Sequence, residues 1–206
     1  MVMIRFLKDF DAKTYTEVVL DQTLQGKIGE EADIIEGSTK EQLLAQYEAG
    51  IEAFVQNNIV NDAPMSEEMQ AQYVALMKQA FAAMKYKVGE AEKVDKQTFR
   101  VPVTYQPTDL FAKFAAAVSE ETKALEKKTF AGEYKGTQEE IHAQMQDEFL
   151  NNCYAHMEQL VTEITYGEQQ TMVLTVQAGE TGQFSIPAEE LTQFIEKILG
   201  LDAIQD

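Results

Sequence analysis

Cysteine is nearly missing from this 206-residue chain: Cys153 stands alone, so no intramolecular disulfide can form. That scarcity does not settle the compartment. Small secreted domains often carry disulfides, but many bacterial exported proteins carry none. Positive charge is scarce too, with 17 Lys and Arg against 35 Asp and Glu and a formal charge of −18. Such a deficit argues against sequence-independent binding of DNA or RNA, which needs a basic footprint. It argues equally against docking on anionic lipid headgroups. A basic partner is permitted but not demanded; the simpler consequence is a highly soluble surface. Long apolar runs are absent, and none approaches the ~20 residues needed to cross a bilayer. Residues 1–7 are too short for the apolar core of a signal peptide and lack a small-residue cleavage site. The expectation is therefore a cytoplasmic chain, or one that begins after an export signal has been removed.

Catalytic signatures are also missing. There is no Gly-x-Ser-x-Gly elbow, P-loop, dinucleotide fingerprint, zinc-finger spacing or calcium loop. This weakens the enzyme classes whose site is written in one stretch. It leaves open sites assembled from distant residues.

What is present reads as an ordinary globular chain, 45% hydrophobic and 25% charged, long enough for one sizeable domain or two closely packed halves. Asp11 is an N-cap candidate for a helix over residues 11–25, with Tyr15, Val18, Val19 and Leu24 in its stripe and Gly26 as its stop. Residues 26–37 read as a loop. Thr39 with Gln42 is a capping-box pattern opening a second helix. Leu43, Leu44, Tyr47, Ile51, Phe54 and Val55 follow at helical spacing, and Asn57-Asn58 and Asn61-Asp62-Ala63-Pro64 end it. Ser66 can cap a third helix with the stripe Met69, Tyr73, Leu76, Met77, Ala80, Phe81 and Met84. The period then shortens to two: Phe99, Val101, Val103 and Tyr105 alternate with Arg100, Pro102 and Thr104, a half-buried strand. Pro102 removes a ladder donor, which predicts an edge position or a bulge there. The partner strand is expected over residues 86–92.

Pro107 and Asp109 open a fourth helix reaching about residue 127, and Thr137 with Glu140 caps a long helix to about residue 164. Met172, Leu174 and Val176 alternate in a strand, Gly179 to Gly182 turns it, and Phe184 and Ile186 begin the return. Pro187 suits the first turn of a last helix, with Leu191, Phe194, Ile195, Ile198 and Leu199 inward and Gly200 ending it.

The pattern repeats. Leu76 to Tyr86 is an apolar helix running into a hairpin, and His156 to Tyr166, eighty residues on, does the same. Thr39-Lys40-Glu41-Gln42-Leu43-Leu44 also echoes Thr137-Gln138-Glu139-Glu140-Ile141-His142. Chance likeness between amphipathic helices is the competing explanation. The expectation is one unit over residues 1–206 with related halves at about 9–107 and 108–206, and with Tyr86 and Tyr166 packing between layers at equivalent junctions.

Candidate chemistry is thin. Glu67-Glu68, Glu120-Glu121, Glu139-Glu140 and Glu189-Glu190 pair carboxylates, but neighbours on a helix point about 100° apart and cannot converge on a substrate. Three of the pairs fall in first turns, where negative charge stabilises the helix dipole by up to about 1 kcal/mol. His142, Cys153 and His156 share a helix face. His142 and Cys153, however, stand about 16 Å apart along the axis at ~1.5 Å per residue. Cys153 and His156 would need two further ligands for a metal site. No catalytic, cofactor-binding or metal residue is assigned, and no cofactor is expected. Tyrosines and methionines fall mostly on inward stripes and read as core.

Asp9-Phe10-Asp11-Ala12-Lys13-Thr14-Tyr15 with Val18-Val19-Leu20-Asp21, the segment Met84 to Ala91, and the Tyr166-Gly167-Glu168 hairpin with its terminal helix give the chain a likeness. It resembles uncharacterised lipoproteins of Gram-positive bacteria. The resemblance implies an N-terminal lipid on a cysteine and a location outside the cytoplasmic membrane; no cysteine lies near Met1. It implies no catalytic residues. Together these readings predict an α+β fold, mostly helical, with two hairpins in a small antiparallel sheet packed by helices, in the manner of cystatin-like or nuclear-transport-factor-like folds. They predict a non-enzymatic cell-surface protein that binds a protein, peptide or small ligand, with no nucleic-acid partner and the membrane reached only through a lipid anchor. The alternative is a cytoplasmic small-molecule enzyme or binding protein with its pocket between sheet and helices.

Overall fold

Side-chain caps start four of the helices where the sequence places them. The computed structural model describes residues 10–29, 35, 38–60 and 64–201. The Asp11 carboxylate accepts from the Thr14 backbone N–H at 3.1 Å and opens α1 (Ala12–Gln25), which Gly26 ends in the left-handed region at φ 61°. Thr39 and Gln42 form a reciprocal capping box at the head of α2 (Lys40–Val55). Ser66 caps α3 (Glu67–Ala82). Thr137 and Glu140 form a second capping box at α5 (Gln138–Thr162). The remaining helices are α4 (Leu110–Phe130), which outruns its expected end near residue 127, and α6 (Ala188–Leu199). At Asn57-Asn58 the chain does not stop but widens into a π-helical turn, Gln56–Val60, with the Asn58 amide donating back to the Phe54 carbonyl at 2.9 Å. Residues 61–63 and most of 30–37 lie outside the described residues, as do 1–9, where part of the lipoprotein-like opening falls.

The strands are β1 (Lys85–Val88), β2 (Glu92–Lys93), β3 (Thr98–Gln106), β4 (Gln170–Ala178) and β5 (Phe184–Ser185), paired antiparallel throughout. The strand expected over residues 86–92 is thus broken in two. β3 is central, with β1 and β2 on one side and β4 on the other, so Pro102 does not sit at an edge. The bulge is on its neighbour: Gly89, Glu90 and Ala91 lie opposite Val101 and Pro102. The Pro102 carbonyl accepts from the Gly89 N–H at 2.7 Å, so its donor-less nitrogen faces the same interrupted stretch. Proline is tolerated mid-sheet because the ladder is already open there. A Cβ on Gly89 would lie 2.9 Å from Pro102 Cγ, so this approach needs glycine.

Helices cover one face of the curled sheet. Phe99, Val101, Val103 and Tyr105 of β3, with Leu174 and Val176 of β4, point into the core, as the alternation requires. They meet the buried stripes of α1 (Leu20, Leu24), α3 (Tyr73, Met77, Phe81), α5 (Met157) and α6 (Phe194, Ile198, Leu199). Leu44, expected inward, is 47% exposed because it lies about 100° round the helix from the buried Leu43. Phe10 stacks on Phe184 with ring centroids 3.7 Å apart, and the Tyr15 hydroxyl donates to the Phe184 carbonyl at 2.8 Å, joining the two ends of the described chain.

A junction with no sequence signature ties the β3–α4 connection to the end of α6 and to the residues just before β4. Thr108, buried between β3 and α4, donates its N–H to the Ile198 carbonyl at 3.0 Å and its hydroxyl to the Leu199 carbonyl at 3.1 Å. These bonds satisfy carbonyls that the end of α6 leaves without helical partners. Thr108 also bridges Tyr166, and the Gly167 N–H donates to the Pro107 carbonyl at 2.8 Å. Beside it, Asp109 accepts from the Thr165 N–H and hydroxyl and pairs with Lys113 at 2.6 Å. Burial alone would raise the Asp109 carboxyl. The bonds from Lys113 and Thr165 outweigh it and hold the group below the usual carboxylate range.

Candidate functional site

The carboxylate pairs diverge, as helical geometry requires. Glu67 and Glu68, Glu139 and Glu140, and Glu189 and Glu190 lie in the first turns of α3, α5 and α6. Glu190 turns inward to accept from the Thr175 N–H at 2.7 Å, pinning the start of α6 to the open edge of β4. Glu120 pairs with Lys123 at 2.7 Å on the surface. Glu121 instead faces α5, with its side chain 11% exposed, and accepts from the Asn152 amide at 2.6 Å.

Glu121 therefore joins Cys153 and His156, and the sequence did not place it there because it comes from a different helix. His156 Nε2 lies 3.9 Å from the Glu121 carboxylate. His142, on the same helix face as Cys153, stands near the far end of α5 and takes no part. Among the described residues no three His, Cys, Asp or Glu side chains are placed to hold a metal ion. Burial, reinforced by the Glu121 carboxylate, pushes the Cys153 thiol up to about 11, so at neutral pH it is a protonated thiol and a poor nucleophile. Against an unfolded thiol near 9 the thiolate fraction falls about a hundredfold. Labelling by Ellman's reagent is accordingly expected to be at least about a hundredfold slower in the native protein than in urea. A native rate within severalfold of the unfolded one would show Cys153 to be accessible and activated.

Tyr86 and Tyr166 do bind layers together, but by different contacts. The Tyr86 hydroxyl donates to Asp21 on α1 at 2.5 Å; burial, then that bond, raises it well above the ordinary phenol value. The Tyr166 hydroxyl donates to the Ala83 carbonyl at the end of α3 at 2.8 Å, and Lys85 Nζ sits 3.6 Å from the centre of its ring.

Two broad surfaces and one smaller groove are open among the described residues. One is the outer face of the sheet, where Arg100, Pro102 and Thr104 of β3 stand between Lys85 and Lys87 of β1 and Val173 and Thr175 of β4. Glu92 of β2 lies directly opposite Arg100 on this face, and among the described residues neither Lys87 nor Arg100 has a carboxylate within ion-pair distance. The other is the distal part of the α4–α5 hairpin. A surface groove of about 610 Å³ lies there against Thr129, Glu139, Ile141, His142, Ala143 and Met145. A smaller groove of about 320 Å³ runs between α1 and α2, beside Val19, Gln22, Leu43 and Tyr47. Among the described residues no buried side-chain nitrogen or oxygen lacks a partner.

Over 92% of its length this chain is similar to a putative lipoprotein, ycdA, from Bacillus subtilis, with a TM-score of 0.57 and 12% sequence identity. It spans 56% of that protein's length. The likeness is one of fold, an antiparallel sheet packed by helices. No protein-family model and no curated protein matches the chain. Among the described residues no helix is long and apolar enough to cross a membrane.

Proposed function

We propose that the chain works outside the cytoplasmic membrane as a non-enzymatic binding protein of the lipoprotein type. The observation that carries this reading is the shared fold with the Bacillus subtilis protein over 92% of the chain. The satisfied buried polar groups and the raised Cys153 thiol are in keeping with it. A ligand of such a protein is met at the surface, and the outer sheet face is the broad side that helices leave open. The test is fractionation of the native cells with mass spectrometry of the protein's N-terminal peptide. A lipid-modified cysteine upstream of Met1, recovered in the membrane fraction, is the expected result. An unmodified Met1 in the soluble fraction would overturn the proposal and direct attention to cytoplasmic ligands.

A further inference from the structure

Phe130 ends α4 with its side chain in solvent. It is 91% exposed, whereas the other exposed large apolar residues, Leu44, Val94 and Val173, are 47%, 52% and 49% exposed. Full exposure of an aromatic ring forfeits the hydrophobic gain that burial would supply. The residue before it, Thr129, lines the 610 Å³ groove, together with the apolar Ile141, Ala143 and Met145 of α5. Phe130 is not among the residues lining that groove. A knob and a groove therefore sit side by side on one small patch.

We propose that the tip of the α4–α5 hairpin is a self-association surface that takes a second copy of this chain, each copy seating its Phe130 in the other's groove about a two-fold axis. A two-fold interface uses the same patch on both partners, so it needs the knob and its socket to be neighbours, as they are here. The charges around them are complementary in the same sense. Lys127 lies three residues before Phe130, on the same helix face. Glu139 lines the groove. Among the described residues neither belongs to an ion pair within its own copy. Seating Phe130 in the second copy's groove brings its Lys127 to that copy's Glu139, and the two-fold repeats the pair.

The position of the patch also answers the repulsion expected between two chains of charge −18. The main core takes Leu110, Phe111 and Phe114 from α4 and Tyr154, Met157 and Val161 from α5. Beyond them the hairpin packs on itself. Contacts of Glu121 with Asn152, Lys128 with Glu148 and Thr129 with Met145 set a register that places Leu125 opposite Leu150, a small separate apolar centre. This arm continues for roughly 24 Å, at 1.5 Å per residue, past the last residues that join the core. Two copies joined at their tips keep their acidic bodies separated by several Debye lengths of about 8 Å. The same net charge disfavours a lipid surface as the occupant.

Sedimentation equilibrium over roughly two decades of protein concentration tests the proposal. The whole chain is expected to form a dimer. Phe130→Ser, whose side chain touches solvent alone, is expected to raise the dissociation constant about tenfold or more without changing the circular dichroism spectrum. Lys127→Glu and Glu139→Lys are each expected to weaken association, and an equimolar mixture of those two proteins to restore it, since both contacts then pair opposite charges. A wild-type chain that stays monomeric throughout would overturn the proposal, with the tip then left to a different partner. So would a Phe130→Ser protein that dimerises like wild type.

Discussion

Phe194→Ala is expected to lower the unfolding free energy by about 3–5 kcal/mol, the range for removing a fully buried aromatic ring. Phe194 is 0% exposed. It meets Tyr105 of the central strand edge-on, with centroids 5.4 Å apart and planes at 76°, and Tyr86 of β1 at 6.5 Å and 85°. The ring thus joins α6 to β1 and β3, strands from the earlier part of the chain. Its removal leaves a cavity lined by aromatic rings, which stiff, hydrogen-bonded neighbours close poorly. Tyr86 is tied to Asp21, and Tyr105 to Gln170 at 2.9 Å. Against the 5–15 kcal/mol that stabilises typical domains, this is a large fraction. A urea midpoint shifted by less than the equivalent of about 1 kcal/mol would show that α6 contributes little to the fold.

Gly200→Ala is expected to cost roughly 2–5 kcal/mol, from two separate sources. The first is conformational: Gly200 ends α6 at φ 68°, where a side chain costs about 1–2 kcal/mol. The second is steric: a Cβ there would lie 2.3 Å from the Thr108 carbonyl oxygen, a backbone atom that cannot swing aside. Relieving the clash moves the end of α6 away from Thr108 and lengthens the bonds to Ile198 and Leu199. Gly182 supplies the internal control. It too has a positive φ, 84°, but an added Cβ meets nothing within 4 Å. Gly182→Ala should therefore show the conformational cost alone, about 1–2 kcal/mol. Equal shifts in thermal midpoint for the two variants would remove the close approach at Thr108 from the account.

Helix starts were legible in the sequence because capping is local. A side chain at Asp11, Thr39, Ser66 or Thr137 needs only a backbone N–H three residues on. Strand faces were legible because alternation is enforced by the pleat, so Phe99, Val101, Val103 and Tyr105 had to share a side. The position of β3 in the sheet was not legible. Pro102 argues for an edge wherever the neighbouring strand is continuous, and the break at Gly89 to Ala91 is invisible until the pairing is known. The surroundings of Cys153 were half legible. Helical spacing places His156 near it, but burial, reinforced by Glu121 from another helix, disfavours the thiolate.

The arm shows the same division. The Pro107 and Asp109 opening and the Thr137–Glu140 capping box mark α4 and α5 as helices, yet neither signal says that Leu125 and Leu150 leave the main core, or that Phe130 is left in solvent. The sequence by itself determined four of the helix starts, the inward alternation of β3 and β4 and the excess of acidic charge, because these follow from composition or from interactions within a turn or two of chain. Tertiary structure alone decided the strand order, the Thr108 junction, the company of Cys153 and the exposed tip. Each depends on which distant segments meet, and that choice is made by the total apolar area and hydrogen bonding of the whole fold rather than by any single stretch.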